Sequence, residues 1–184
     1  LVVKKKNTPE FIKKTFSQLL EILKQITNDD EFQIARKEII AIVKDNLKKI
    51  GRVGAFTLED YAINISLKKN LKDYTKNVPQ HVRAVNAFIA TEVEKIVKVA
   101  KARDKKASKN EMLAIKQRYQ KGGVVQFIKS KGPIGAKVTE HAKLQDINSK
   151  KYRDLLKSAL EQVLDALGIS FEEIKGIKKM DAFF

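Results

Sequence analysis

Residues 61–68 read Tyr-Ala-Ile-Asn-Ile-Ser-Leu-Lys. Tyr61, Ile63, Ile65 and Leu67 alternate with Ala62, Asn64, Ser66 and Lys68, and a period of two is the mark of a half-buried strand. Almost everything before it repeats at three and four residues. Phe11, Ile12, Phe16, Leu19, Leu20, Leu23 and Ile26 form one amphipathic stripe, entered at Thr8-Pro9, where the hydroxyl can cap free amides and proline suits a first helical position. Phe32, Ala35, Ile39, Ile40, Val43, Leu47 and Ile50 form a second, from Asp30 to about Ile50, with Gly51 placed to end it. The short Asn28-Asp29 connection predicts a helical hairpin over residues 8–50.

After the strand, Pro79 opens a helix through Val82, Val85, Phe88 and Ile89. It continues through Val93, Ile96, Val97 and Ala100 into a basic stretch that includes Lys95, Lys98, Lys101, Arg103, Lys105, Lys106 and Lys109. Gly122-Gly123 stops the helical signal. Val124 to Ile128 then reads as a second strand, Lys131 to Gly135 as a loop, and Ala136 to Thr139 as a short pairing strand. Asn148 can cap a last long helix carrying Tyr152, Leu155, Leu156, Ala159, Leu160, Val163, Leu164 and Leu167, ended by Gly168. Ser170 to Glu173 has capping-box spacing for a short helix that ends near Gly176. The expected fold class is α+β, predominantly helical, with a small antiparallel β element.

The 184 residues hold 38 Lys and Arg against 22 Asp and Glu, a formal charge of +16 and a pI near 9.9. That excess calls for a polyanionic partner, most often nucleic acid. Without cysteine the chain has no disulfide framework, Cys-ligated zinc, iron–sulfur cluster or thiol nucleophile. His81 and His141 stand 60 positions apart, which argues against a structural metal. No apolar run approaches the ~18 residues of a membrane span, and Leu1-Val2-Val3 before Lys4-Lys5-Lys6 reverses the order of a secretory signal. A cytoplasmic protein without membrane contact is expected. The chain has no phosphate-binding glycine loop, nucleophile elbow, HExxH motif or obvious carboxylate cluster.

The cations fall where they can line a groove. Lys68 and Lys69 stand at a strand end, Lys76, His81 and Arg83 around a helix start, and Lys129, Lys131 and Lys137 beside the glycine loop. Helix N-termini and loop amides bind phosphate, and nearby Lys or Arg adds counter-ion release. Tyr74 reads equally as a sugar or phosphate contact and as core. His81 reads equally as a phosphate contact and as a capping imidazole. The run from Lys95 to Lys109 reads first as a solvated face or arm and second as a DNA contact. His141 carries no clear role.

Four strings, in this order and spacing, resemble the C-terminal part of family B DNA polymerases, the crenarchaeal replicative type in particular. LVVKKKNTPEF resembles the end of the palm, with Lys4, Lys5 and Pro9 matching. SLKKNLKDYTKNVPQHVRAV is similar to a thumb segment, with Lys69, Leu71, Tyr74, Pro79, His81 and Val82 in register. GGVVQFIKSKGPIGAKV matches the following strand and loop at Gly123, Phe127, Lys131, Gly132, Gly135 and Lys137. NSKKYRDLLKSALEQVLDALGISFEEI resembles the closing thumb helix. Lys68 stands where the family has a small hydroxyl residue, and residues 91–119 look like a basic helical insertion.

The resemblance implies a palm strand over residues 1–7, a thumb over 8–176 and a tail over 177–184. It implies a grip on primer–template double-stranded DNA, with Lys4 and Lys5 near the primer end and Lys69, Tyr74, His81, Lys131 and Lys137 on the backbone. The exonuclease, the fingers and the palm aspartates are absent, so the chain is expected to be inactive alone. Mg2+ is expected only in a large catalytic polymerase polypeptide, of which this would be the small subunit or a fragment. Within the tail, Ile177-Lys-Lys-Met180-Asp-Ala-Phe183-Phe184 resembles a sliding-clamp peptide. There Ile177 replaces the usual glutamine, and Met180, Phe183 and Phe184 would plug a clamp pocket. The alternative is a freestanding nucleic-acid- and clamp-binding adaptor with no catalytic partner.

Overall fold

A computed structural model of the chain describes residues 7–100 and 105–176. The expected palm strand and the clamp-like tail lie outside the described residues. Among the described residues, seven α-helices, α1 (Glu10–Lys24), α2 (Asp29–Lys49), α3 (Leu58–Tyr61), α4 (Gln80–Ala100), α5 (Lys105–Arg118), α6 (Ser149–Ala166) and α7 (Phe171–Lys175), accompany three strands, β1 (Ile63–Ser66), β2 (Val124–Lys129) and β3 (Ala136–Val138). The fold is α+β and mostly helical, as the periodicities require. Contacts divide the chain into two compact units, residues 1–60 with 149–184, and residues 61–148.

In the first unit, α1 buries Phe11, Ile12, Thr15, Phe16 and Leu19. Pro9 flanks the helix instead of occupying its first position. Its extended ψ of 146° keeps it outside, and its carbonyl accepts the Ile12 and Lys13 amides at 3.1 and 3.2 Å. At the turn into α2, the Asn28 side chain accepts the Glu31 amide at 2.9 Å, and the Glu31 carboxylate accepts the Thr27 amide at 2.7 Å. This reciprocal cap satisfies two amides that a helix start leaves open. The Thr27 donors hold the Glu31 carboxyl below its usual range.

Helix α6 supplies Tyr152, Leu156, Leu160, Val163 and Leu164 to the same core. Phe11 ties it together, with its ring centroid 4.8 Å from Phe56 and 6.1 Å from Tyr152. Ser170 caps α7 through the Glu173 amide at 3.1 Å, and Arg36 of α2 holds Glu173 at 2.8 Å. Gly51, at φ 82°, ends the turn after α2, where a Cβ would stand 2.0 Å from Ser149 Oγ. Both its handedness and this close approach exclude larger residues.

In the second unit the strands form an antiparallel sheet in the order β1-β2-β3. Register pairs Ile63 with Phe127 and Phe127 with Val138, so these three share a face, with Ile65 and Val125 on the same side. Helix α4 packs over that face through buried Val82, Val85 and Phe88. Tyr61, expected as the first strand residue, instead closes the single turn α3. Thr57 and Asp60 cap each other, Thr57 N–H to Asp60 Oδ2 at 3.0 Å and Asp60 N–H to Thr57 Oγ1 at 3.2 Å, and this holds the chain helical until Tyr61. Period two then runs from Ile63.

The basic stretch expected over 91–119 is helical in its described part, as the end of α4 and α5. Tyr119 meets Phe88 edge to face at 5.8 Å, and Arg118 pairs with Glu140 through both guanidinium nitrogens. Among the described residues, no helix is long and apolar enough to cross a membrane.

Candidate nucleic-acid interface

Lys4 and Lys5 lie outside the described residues, as do Ile177, Met180, Phe183 and Phe184. The other five expected contacts all belong to the second unit, where the sheet sorts them to two ends. From the Ser66–Val124 pair to the Lys129–Ala136 pair, β2 advances five residues, about 17 Å at strand rise.

At the first end, β1 runs into Lys68 and Lys69, both exposed. The Tyr74 hydroxyl accepts the amides of Lys68 at 3.1 Å and Lys69 at 3.2 Å. Tyr74 is therefore the strut that shapes the lysine turn, with its hydroxyl hydrogen left to donate. Asn70 Oδ1 accepts the Lys121 amide at 3.0 Å, and Leu67 exchanges 2.8 Å bonds with Gly122 and Gly123. A second lysine-bearing turn thus stands beside Lys68 and Lys69. The backbone is fixed by paired polar groups, while the side chains of Lys68 and Lys69 project from it into solvent.

At the second end stand His81, Lys131 and Lys137. Lys131 Nζ donates to the Gln145 carbonyl at 3.1 Å, and Lys137 pairs with Asp146 at 2.9 Å. Burial would raise the Asp146 carboxyl, yet the Lys137 ammonium and the Lys143 amide hold it below the usual range. Lys137 is consequently ion-paired within the fold, whereas Lys131, on an exposed loop, meets a carbonyl and, among the described residues, no carboxylate.

Sequence reasoning overlooked Gln80, which organises this end. It accepts from Lys129 Nζ at 2.5 Å and donates to the Ile134 carbonyl at 3.3 Å. Gly135, at φ 68°, leaves room for it, since a Cβ there would stand 2.5 Å from Gln80 Nε2. A glutamine following Pro79 is the only local signal of this role. Glu92 and Asp146 were overlooked as well, although Lys95 and Lys143 stand three residues from them, and the Glu92 contact with His141, 49 residues away, has no local signal. Glu92 accepts from Lys95 at 2.6 Å and meets His141 Nε2 at 2.6 Å, with the His141 ring 4.5 Å from Phe88. His141, without a role in the sequence, thus joins the 139–141 turn to α4.

His81 is half-buried in the first turn of α4, its ring 6.1 Å from Phe127. Burial, with the Lys129 charge second, pushes its imidazole below the usual value of 6.5. The folded state favours the neutral ring, so the stabilisation is complete above about pH 6.5 and is lost as pH falls through the lower folded value. Urea midpoints should fall on acidification below neutrality, and His81→Asn should flatten that part of the profile. An unchanged profile in the variant would contradict the assignment. At neutral pH His81 offers a phosphate a hydrogen bond and no charge.

The chain is 33% identical over 184 residues to DNA polymerase 1 of Aeropyrum pernix, covering 98% of this chain and 16% of that protein. It is 30% identical to DNA polymerase 1 of Saccharolobus solfataricus and 33% identical to that of Sulfolobus acidocaldarius, covering 100% of this chain and 18% of each relative. This chain is a homologue of one segment of archaeal DNA polymerase 1. The chain spans less than a fifth of the length of these curated relatives. No family model matches it. Among solved structures, the family B DNA polymerase from the hyperthermophilic archaeon Pyrobaculum calidifontis shares its fold, with a TM-score of 0.55 at 18% identity over 84% of this chain and 17% of that one.

Proposed function

We propose that this polymerase segment is the thumb portion of a replicative family B DNA polymerase, gripping primer–template duplex and working with a large polypeptide that carries the catalytic carboxylates. Full-length homology to a segment of archaeal DNA polymerase 1 carries this reading. The charge of +16 and the solvent-facing Lys68, Lys69 and Lys131 supply sequence-independent phosphate contacts, which a polymerase needs to hold whatever it has just made. Positioning is the catalytic contribution of such a segment, because holding the duplex keeps the primer end in its reactive geometry. Chemistry, with its Mg2+, belongs to the partner. The final eight residues would tether the assembly to a sliding clamp through Met180, Phe183 and Phe184.

The test is primer extension reconstituted from this chain and its catalytic polypeptide, together with duplex affinity measured across a salt series. Replacing both Lys69 and Lys131 by alanine should lower the log–log salt slope by about 1.8, two phosphate contacts at ~0.9 each, and shorten the products. Deleting residues 177–184 should abolish clamp stimulation and leave duplex affinity unchanged. Equal affinity and product length in the lysine variant would reject the grip.

A further inference from the structure

In the first unit a cavity of about 760 Å3 opens between the end of α2, the start of α6 and α7. Lys44, Lys48 and Arg52 line one wall and Lys150, Arg153 and Lys157 another. Lys175 stands on α7, and Asp154 is the one carboxylate among these lining residues. Beneath them lie Leu47, Ile50, Phe171 and Ile174.

Two of the cations serve the fold. Arg153 donates to the Leu47 and Ile50 carbonyls at 3.2 and 3.3 Å, closing the open end of α2, and Lys157 lies 5.3 Å above the Phe171 ring. Lys44, Lys48, Arg52, Lys150 and Lys175 have no ion pair or side-chain hydrogen bond among the described residues. The second unit differs, since Lys137, Arg118 and Lys95 there each hold a carboxylate.

Lys48 and Lys175 stand in the last turns of α2 and α7, where the helix dipole favours cations, but two other features of the placement oppose folding. Lys44 and Lys48 stand four residues apart on α2, where like charges repel, and Arg52 follows beyond the helix end. Lys150 sits in the first turn of α6, which contains no acidic residue, although the positive end of a helix favours anions. A bound polyanion reverses the sign of both effects. At about 760 Å3 the cavity has the volume of a ligand cleft, within the ~300–1,000 Å3 usual for such sites and too small to take in a duplex. One sugar–phosphate strand fits between the walls, while a whole duplex meets only their rim. Lys44 and Lys48, about 6 Å apart along α2, also suit a ligand that carries more than one negative charge.

We propose that this groove binds the backbone of single-stranded nucleic acid, as a site separate from the duplex contacts of the second unit. The proposal does not depend on those contacts. Charged walls without an exposed aromatic platform predict binding through phosphate, with no preference for base.

The test is fluorescence anisotropy of the full chain with a labelled single strand and with the matching duplex, over a salt series. The Lys44→Ala, Lys48→Ala, Lys150→Ala triple variant is compared with the Lys69→Ala, Lys131→Ala variant, and circular dichroism reports folding. The triple variant should bind single strand at least about tenfold more weakly, with a salt slope lower by about 2, three contacts at ~0.7 each. Its duplex affinity should change much less. The proposal is overturned if single-strand affinity and slope stay unchanged, if the duplex loses more than the single strand, or if the wild-type chain binds no single strand. Displacement by poly-glutamate as effective as by an oligonucleotide of equal charge also overturns it and indicates an acidic protein surface. If the triple variant melts early, Lys48→Gln and Lys150→Gln alone should each lower the slope by about 0.7. Loss only in the Lys69 and Lys131 variant counts against this groove and for the duplex reading, and the reverse result separates them the other way.

Discussion

Phe127→Ala will lower the unfolding free energy by about 3 to 5 kcal/mol, the range for deleting a buried phenyl ring. The ring is 2% exposed, occupies the middle strand between Ile63 and Val138, and lies beneath His81 of α4. Its loss opens a cavity that all three strands border, and none of them can close it without breaking ladder hydrogen bonds. Each kcal/mol moves the midpoint of a domain of this size by about 2 to 4 °C, so melting should fall by roughly 10 °C. Circular dichroism melting measures it, and hydrogen exchange should show the β1 and β2 amides losing protection. A loss below about 1 kcal/mol would contradict the packing described for the sheet.

A loss of similar size is expected in the first unit from Phe11→Ala. Phe11 is 1% exposed and contacts Phe56 and Tyr152, so a single ring joins α1, the segment after α2, and α6. Truncation should cost about 3 to 5 kcal/mol. Phe11→Leu keeps most of the volume and should cost far less, with the lost ring contacts contributing about 0.5 to 1.5 kcal/mol. Urea unfolding of both variants, with exchange protection followed in α1 and α6, checks the prediction. Equal effects of Ala and Leu would mean that ring geometry alone, and not the filled volume, holds the cluster.

The candidate interface was only partly legible before folding. Lys69 and Lys131 remain on exposed turns, as their glycine- and asparagine-rich surroundings suggest. Lys137 belongs to the same stretch and reads the same way, yet it is paired with Asp146. Tyr74, left between contact and core, proves to brace two amides. Both partners stand within nine residues, yet neither lies at a fixed helical or strand spacing, and a lysine carries no mark of whether a carboxylate will reach it. The unit 1 groove was hidden for the opposite reason. Its cations are spaced regularly in sequence, but α2 and α6 are separated by some hundred residues, and only packing brings their basic faces to one cavity.

What the sequence determined by itself is the set of elements and most of their ends. Helical stripes, alternating runs, Asn28 and Ser170 as caps, and Gly51 and Gly176 as stops are decided within a turn or two, because backbone hydrogen bonds and side-chain caps act over that range. Tyr61 shows the limit, since a period-two pattern extended one step too far into a Thr57–Asp60 cap. Strand order, register, the Glu92–His141 contact and which lysines meet a carboxylate were decided only by tertiary structure. Electrostatic and packing energies depend on distance in space, and residues such as Lys48 and Lys150 become neighbours only when the core between them has closed.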